Sequence, residues 1–427
     1  MAQRHPWRVL LRFSIVLLGL ICCFRLIQDS VRAGVSRLFS ATAIIQSRIE
    51  AADEAVRLAP SDPEAHYTRA LGLVNLERLE EAIVELRQAT RLRPHHYYEW
   101  LDLGVTLDRL GDQTSAEAAL RESIRLAPFF AQPHWQLGNF LFRQGRYEEA
   151  FAELRLGVKS NSSLFEGMMQ LAWVAFDGDV GTMEANLQPQ SRRHHLELAR
   201  FLALHEKGLD AAHQVAVAGE LASEEERTLR RQIVSDLLAG QLFSDAYAAW
   251  ATSHPEAGSR GPGQLLNGDF VEPIRQGDPG FGWQVLATPN VVVSLDPSGP
   301  TPGARSVRIE FSGDHAPGSQ PINQLVLLQP KTRYSLSFMV RAENLVSGGP
   351  PLILVLDGGS RAMKILAQSK PFAPGTSEWS AYQMDFATEE NTAAVMIALQ
   401  RAACGESPCP IFGRLWLSRF SLVKVGG

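Results

Sequence analysis

Positive charge is not in excess in this sequence: 41 Lys and Arg face 46 Asp and Glu over 427 residues, a formal net charge of −5. Chains that wrap nucleic acid normally carry a basic excess, so no nucleic-acid partner is expected. Cysteine is scarce, with four residues in all. Cys22 and Cys23 lie in an apolar run, and Cys404 and Cys409 bracket the loop Cys-Gly-Glu-Ser-Pro-Cys. A zinc site needs about four ligands, and no further Cys or His stands near that pair, so no metal is expected. The pair reads either as a loop-closing disulfide, which requires an oxidising compartment, or as two reduced thiols. The disulfide is favoured because two cysteines in one short loop can approach each other.

Catalytic motifs are missing as well. Neither a G-x-x-x-x-G-K-[ST] phosphate loop nor a G-x-S-x-G nucleophile elbow occurs. His95-His96 and His194-His195 are adjacent pairs, and neighbours on a helix point apart, so they read as solvated surface histidines. His205-Glu206 has Leu209 where a zinc-protease helix needs its second histidine. No catalytic residue and no cofactor is expected. Asn161-Ser-Ser163 fits a glycosylation sequon, which matters only on an exported eukaryotic chain.

What is present is an ordinary folded composition, 45% hydrophobic and 20% charged, long enough for two or three domains. Near the N-terminus, Arg4, Arg8 and Arg12 precede Phe13-Ser-Ile-Val-Leu-Leu-Gly-Leu-Ile-Cys-Cys-Phe24, and Leu26 and Ile27 follow Arg25. Residues 9–27 would make a helix of about 28 Å, against a hydrocarbon core of about 30 Å. An uncleaved transmembrane anchor in a lipid bilayer is the preferred reading. A signal peptide needs a small-x-small cleavage site, and the stretch after Arg25 is bulky and polar. Bulky Ile21 weakens a lipoprotein reading at Cys22, and a buried soluble helix is the remaining alternative. Arg25, Arg32 and Arg37 follow the span, so charge alone orients it weakly.

The strongest pattern is a repeat of 34 residues. Ala70, Gly104 and Gly138 follow that step, as do Ala82, Ala116 and Ala150, then Leu86, Leu120 and Leu154, then Ala89, Ser123 and Gly157. Pro60, Pro94 and Pro128 keep the same register, each placed to end a helix. Small residues at these positions suit two antiparallel helices that cross closely. Three repeats span 63–162, and degenerate helix pairs are expected at 193–222 and 224–250, within an array covering 41–254. Trp100-Leu-Asp-Leu-Gly104 and His134-Trp-Gln-Leu-Gly138 resemble the opening of the tetratricopeptide repeat family. That resemblance implies a concave groove for a protein partner, with Tyr67, Leu101, Trp135, Leu71, Val105 and Asn139 on its face. The Lys, Arg and Asn set with which some members clamp a C-terminal carboxylate is missing.

After His254 the chain changes character. Residues 255–263, Pro-Glu-Ala-Gly-Ser-Arg-Gly-Pro-Gly, read as a linker. Short β-rich runs follow at 291–295, 306–311, 324–328, 334–342, 352–356, 381–386, 393–399 and 414–425, separated by turn residues. Leu266-Asn-Gly-Asp-Phe270, Gly282-Trp283, Trp379, Tyr382 and Gly413-Arg-Leu-Trp416 resemble galactose-binding-like jelly rolls of the family 4/9 carbohydrate-binding type. That resemblance covers 264–427 and implies a sandwich that binds a polysaccharide. It also places Trp283, Trp379 and Trp416 at positions that are usually core. Ser418 stands where that family often has a calcium-binding Asp, a departure that puts the ion in doubt.

The expected architecture is therefore an anchor within 1–40, an all-α tetratricopeptide solenoid and an all-β jelly-roll sandwich. The expected function is a non-catalytic, single-pass membrane scaffold with its bulk exported, in cell-envelope or exopolysaccharide assembly. A pure protein-assembly module with the sandwich as structural cap is the alternative, and a polysaccharide-acting enzyme a third.

Overall fold

The computed structural model describes residues 6–254, 263–360, 363–405 and 408–426. Arg4 and the expected linker up to residue 262 lie outside the described residues, as do the side chains of Arg8 and Arg12. The chain forms two compact units, Met1–Gln188 and Pro189–Gly427.

In the first unit α1 (Pro6–Gln46) is one long helix. It is followed by α2 (Ile49–Leu58), α3 (Pro63–Asn75), α4 (Leu79–Leu92), α5 (Tyr97–Leu110), α6 (Gln113–Leu126), α7 (Ala131–Arg143) and α8 (Tyr147–Ser160). The shorter α9 (Phe165–Ala175) and α10 (Val180–Leu187) complete it. Punctuation comes from local chemistry. Pro63 opens α3 behind Asp62, whose carboxylate accepts the Glu64 N–H. Gly111 closes α5 in a left-handed conformation at φ 91°.

The 34-residue step has a steric cause. A Cβ at Gly104 would stand 2.7 Å from Leu120 Cγ, and one at Gly138 would stand 2.7 Å from Leu154 Cγ. Each glycine lets the two helices of a pair meet over a buried leucine. A polar lock repeats as well. The Nε2 of His66 donates to the Pro60 carbonyl at 2.9 Å, Trp100 Nε1 donates to that of Pro94 at 2.9 Å, and His134 Nε2 donates to that of Pro128 at 3.0 Å. The other ring nitrogen of His134 lies 2.6 Å from Glu153, nineteen residues on, and His66 pairs with Glu85 at the same spacing. The Glu85 bond raises the His66 pKa above its ordinary value, against the opposing effect of burial.

Only the first half of α1 is bare. Side chains from Phe13 to Ile27 are exposed, and this is the one described helix long and apolar enough to cross a membrane. Further along, Ser36, Ser40 and Ala43 are buried on one face, and Ser36 Oγ donates to the Ala55 carbonyl at 2.9 Å. The second half of α1 thus acts as the first helix of the array.

The second unit opens with α11 (Arg192–Leu204), α12 (Gly208–Ala218), α13 (Glu224–Ala239) and α14 (Phe243–Ala251). They fall where the degenerate pairs were expected. His195 Nδ1 lies 2.7 Å from Gln214 Oε1, the nineteen-residue lock again. His195 is therefore half-buried and bonded, a correction to the solvated reading of that pair, because it occupies the lock position of its repeat.

Among the described residues ten strands follow: β1 (Gln284–Val285), β2 (Val291–Asp296), β3 (Ser306–Asp314), β4 (Ile322–Leu327), β5 (Arg333–Ser347), β6 (Pro351–Asp357), β7 (Ile365–Gln368), β8 (Gly375–Ala387), β9 (Ala394–Arg401) and β10 (Pro410–Lys424). They form two antiparallel five-stranded sheets, ordered β1-β4-β9-β6-β7 and β2-β3-β10-β5-β8. Leu336, Phe338 and Val340 of β5 alternate inward to meet Val307, Ile309, Leu415, Ile353, Val355 and Ile397. All eight β-rich runs contain a strand; β1 and β7 are additional, too short for a period-2 signal. The fold is therefore a helical tetratricopeptide-type region followed by a β-sandwich.

Candidate binding surfaces

The first helices of successive repeats, α3, α5 and α7, carry the expected groove residues. Tyr67, Leu71, Val105, Trp135 and Asn139 are all half-buried. Leu101 is not available: it is buried in the array core beside Leu103 and Leu107. The Tyr67 hydroxyl donates to Asp102 Oδ2 at 2.6 Å, tying α3 to α5. Burial raises the Asp102 carboxyl above its ordinary range, with the Tyr67 bond opposing, and raises the Tyr67 hydroxyl too. Asn139 Nδ2 donates to the Trp135 carbonyl at 2.8 Å. The Trp135 ring lies so close to α9 that a Cβ on Gly167 would stand 3.0 Å from it. Trp135 therefore presents one part of its ring while the rest is held in place.

Residue-type reasoning alone missed the polar cross-ties. Asp102 belongs to the groove through Tyr67, and Arg143 pairs with Asp108 between α7 and α5. Both ties span 35 residues, one repeat plus one position, and that spacing is the signal in the sequence. Arg109 pairs with Glu77 at 2.7 Å in the same region.

Glu99 sits at the start of α5 with its side chain fully buried. Its carboxylate accepts from Arg93 Nε at 2.7 Å, and Arg93 also reaches Glu64 at 3.0 Å. Burial pushes the Glu99 pKa from the ordinary 4.5 up to about 7, with Arg93 opposing. The folded state therefore holds a proton that the unfolded chain has lost between pH 4.5 and 7, and stability falls as pH rises through that window. In Glu99→Gln this slope disappears. Urea unfolding of the helical unit should lose about 1–3 kcal/mol across the window in the native sequence, and nothing comparable in the variant.

The second unit offers two lesser surfaces. A cavity of about 270 Å³ is lined by Trp250, His254, Arg275, Asp278 and Trp283 among others. His254 stacks on Trp250 with ring centres 3.9 Å apart and pairs with Asp278 at 2.8 Å. Burial would raise the Asp278 carboxyl, but the His254 pairing, helped by Arg230 and Arg275, holds it below its ordinary value. His254 and Asp278 are thus already paired with each other, while the buried indole N–H of Trp250 has no hydrogen-bond partner among the described residues.

On the outer face of the β2-β3-β10-β5-β8 sheet, Trp416 stands between Arg308 and Arg341 across the ladder. Arg341 covers its ring at 4.8 Å, and the indole N–H donates to Asp296 Oδ2 at 3.0 Å. Arg414 pairs with Glu343 at 3.2 Å beside it. Trp283 lies in the core and, like Trp416, is only 5% exposed. Trp379 is half-buried. Ser418 is buried, with its hydroxyl donating to the Arg305 carbonyl at 2.6 Å, while Asp269 is exposed. Among the described residues no group of three or more His, Cys, Asp or Glu side chains could hold a metal ion. Cys404 and Cys409 come together with Cα atoms 6.2 Å apart.

The array thus has the build of an α-helical repeat scaffold. Residues 67–131 and 101–163 match the sequence profile of the tetratricopeptide repeat, so the chain carries that repeat. Protein FlbA of Caulobacter vibrioides is 33% identical over 114 residues, which are 26% of this chain and 19% of FlbA. The TPR repeat-containing protein PA4299 of Pseudomonas aeruginosa is 37% identical over 90 residues, 21% of this chain and 36% of that protein. The chain therefore spans about a fifth and about a third of these curated relatives. Among solved structures, MamA from Desulfovibrio magneticus is 19% identical, with a TM-score of 0.33, over 37% of this chain and 93% of that one.

Proposed function

We propose that this protein is a membrane-anchored, non-catalytic assembly scaffold. The bare half of α1 holds it in a bilayer, and the face formed by α3, α5 and α7 takes a segment of a protein partner. The observation that carries this reading is the row of half-exposed side chains on successive first helices, Tyr67 and Leu71, then Val105, then Trp135 and Asn139. Aromatic anchors with one face held and one face open are the usual energetic centre of such contacts. Trp135→Ala combined with Leu71→Ala is expected to weaken partner binding about 30-fold, near 2 kcal/mol, with helical circular dichroism unchanged. Undiminished binding would contradict the groove assignment.

The sandwich fits the role of a structural cap. Sugar stacking needs an open aromatic face, and Trp283 and Trp416 are covered. Glycan binding, and with it a place in exopolysaccharide assembly, is the second reading, carried by Trp379 on the outer sheet face. Saturable heat on titration with cell-surface polysaccharides, abolished by Trp379→Ala, would promote it. Export of the bulk of the chain is favoured by the approach of Cys404 to Cys409, since a disulfide there requires an oxidising compartment. Alkylation of the unreduced protein that labels neither cysteine is the expected result.

A further inference from the structure

The two long edges of the helical unit differ. At one edge the second helix of each pair hands over to the first helix of the next. There Phe129 is 86% exposed, Phe130 55% and Tyr98 41%. Tyr97 stacks on Tyr98 at 4.1 Å and on Phe130 at 5.2 Å, so these three rings form one cluster, with Phe129 next to it in sequence. The opposite edge has apolar groups less exposed than the two phenylalanines, Leu76, Leu110 and Tyr147, the last in ring contact with Phe142 at 5.3 Å and Phe176 at 6.0 Å, set among the ion pairs Arg78–Glu81, Arg109–Glu77 and Arg146–Glu149.

The aromatic edge also carries a periodic row of cations. Arg57, Arg91, Arg125 and Lys159 occupy the last turns of α2, α4, α6 and α8, each 34 residues from the next, and all are exposed. A cation in a last turn complements the helix dipole, which accounts for each of them singly. Arg57 and Arg125 also reach Glu54 and Glu122 on their own helices. The dipole does not account for exposed phenyl rings beside them.

The position of α1 supplies the missing term. Its apolar stretch ends at Ile27, and the helix runs without a break into the face that packs on α2. Arg37 pairs at 3.6 Å with Asp62, the residue that caps α3 at this same edge. Ile27 is ten residues earlier, about 15 Å along the axis. The Arg37 side chain leans back toward the helix N-terminus, which brings the edge nearer still. Gln28, Asp29 and Arg32 fill the interval. The headgroup layer beyond a hydrocarbon core is about 5–8 Å thick. A bilayer that holds α1 therefore faces this edge and not the other, with its headgroups ending about 7–10 Å short of Arg37 along the axis, a gap that the backward lean of the side chain narrows.

We propose that this edge is a bilayer-docking surface. Tyr98, Phe129 and Phe130 sit in the interfacial layer, where aromatic rings are favoured, and the helix-end cations face anionic lipid headgroups. The inference rests on the anchor reading, and it adds that the array lies against the membrane instead of hanging free of it.

The test uses the full chain in nanodiscs of phosphatidylcholine with about one quarter phosphatidylglycerol. Amide hydrogen exchange is followed at residues 93–98 on this edge and at 110–113 on the opposite edge. Phe129→Ser serves as the comparison in the same discs. Phe129 is 86% exposed and lies outside the reporting segments, and Phe130, which stacks on Tyr97 inside one of them, is left unchanged. The expected result is exchange at 93–98 at least about fivefold slower in the native sequence than in the variant, with 110–113 unchanged. Equal exchange in both proteins, with each still held in the disc, would overturn the docking surface and leave the anchor standing. A chain that leaves the disc altogether, as shown by flotation, would overturn both.

Discussion

Leu17→Arg combined with Leu20→Arg is expected to move the protein from the carbonate-resistant membrane fraction into the soluble fraction. The two positions lie at the middle of the 9–27 span, on a helix half whose described side chains are exposed from Phe13 to Ile27. Arginine near the bilayer centre costs about 2.5–3.5 kcal/mol per residue, and a leucine there contributes about 0.5 kcal/mol to insertion. The pair therefore shifts insertion by about 6–8 kcal/mol, more than four orders of magnitude. Both leucines are exposed, so their loss removes no packing and helicity should be unchanged. The second half of α1, held through Ser36 and Ala43, stays docked on α2. Retention of the double variant in the membrane would contradict the anchor. An N-terminus missing this segment in the mature protein would show it to be a cleaved leader.

The second large effect is expected at the crossing of α7 and α8. Gly138→Val should lower helical-unit stability by about 3 kcal/mol or more, because its new Cβ would meet Leu154 Cγ at 2.7 Å and the Ala150 carbonyl at 3.2 Å. The leucine can rotate only into an already filled core, and the carbonyl belongs to the helix ladder. For a unit of this size that loss corresponds to a fall in melting temperature of roughly 6–12 °C. Gly181→Ala, in α10, is the control: its Cβ would meet nothing within 4 Å. That variant should stay within about 1 kcal/mol of the native protein, on the stabilising side. A mild Gly138→Val would mean that the helices can part locally, and that the 34-residue glycine step has some cause other than close crossing.

These glycines also explain why the array was legible in the sequence. Close crossing demands a small residue at one point per repeat, and Ala70, Gly104 and Gly138 announce it. The sandwich was legible for a related reason: alternation along β5 is forced by a core on one side and Arg341 and Glu343 on the other. Legibility failed where the structural signal was carried by polar residues. Ser36 and Ser40 look like solvent positions, yet they allow α1 to approach α2, so the helical packing begins before Ala41. His195 looked solvated because its partner Gln214 is nineteen residues away, and only the buried pairs at 66/85 and 134/153 reveal that spacing as a rule. Leu101 occupies a groove position by register, but its neighbours in the core claim it. The Tyr67–Asp102 tie was hidden for a different reason: its two ends are unlike residues in different repeats, so self-comparison does not pair them.

The central claim is that the face built by α3, α5 and α7 receives a protein partner. The most direct measurement is photo-crosslinking in the native membrane with a benzophenone side chain placed at Leu71 or Asn139, and at exposed Arg121 on α6 as the comparison. A discrete adduct of one mass from both groove positions, and none from position 121, is the predicted result. Equal adducts from all three positions, or none from the groove, would contradict the account.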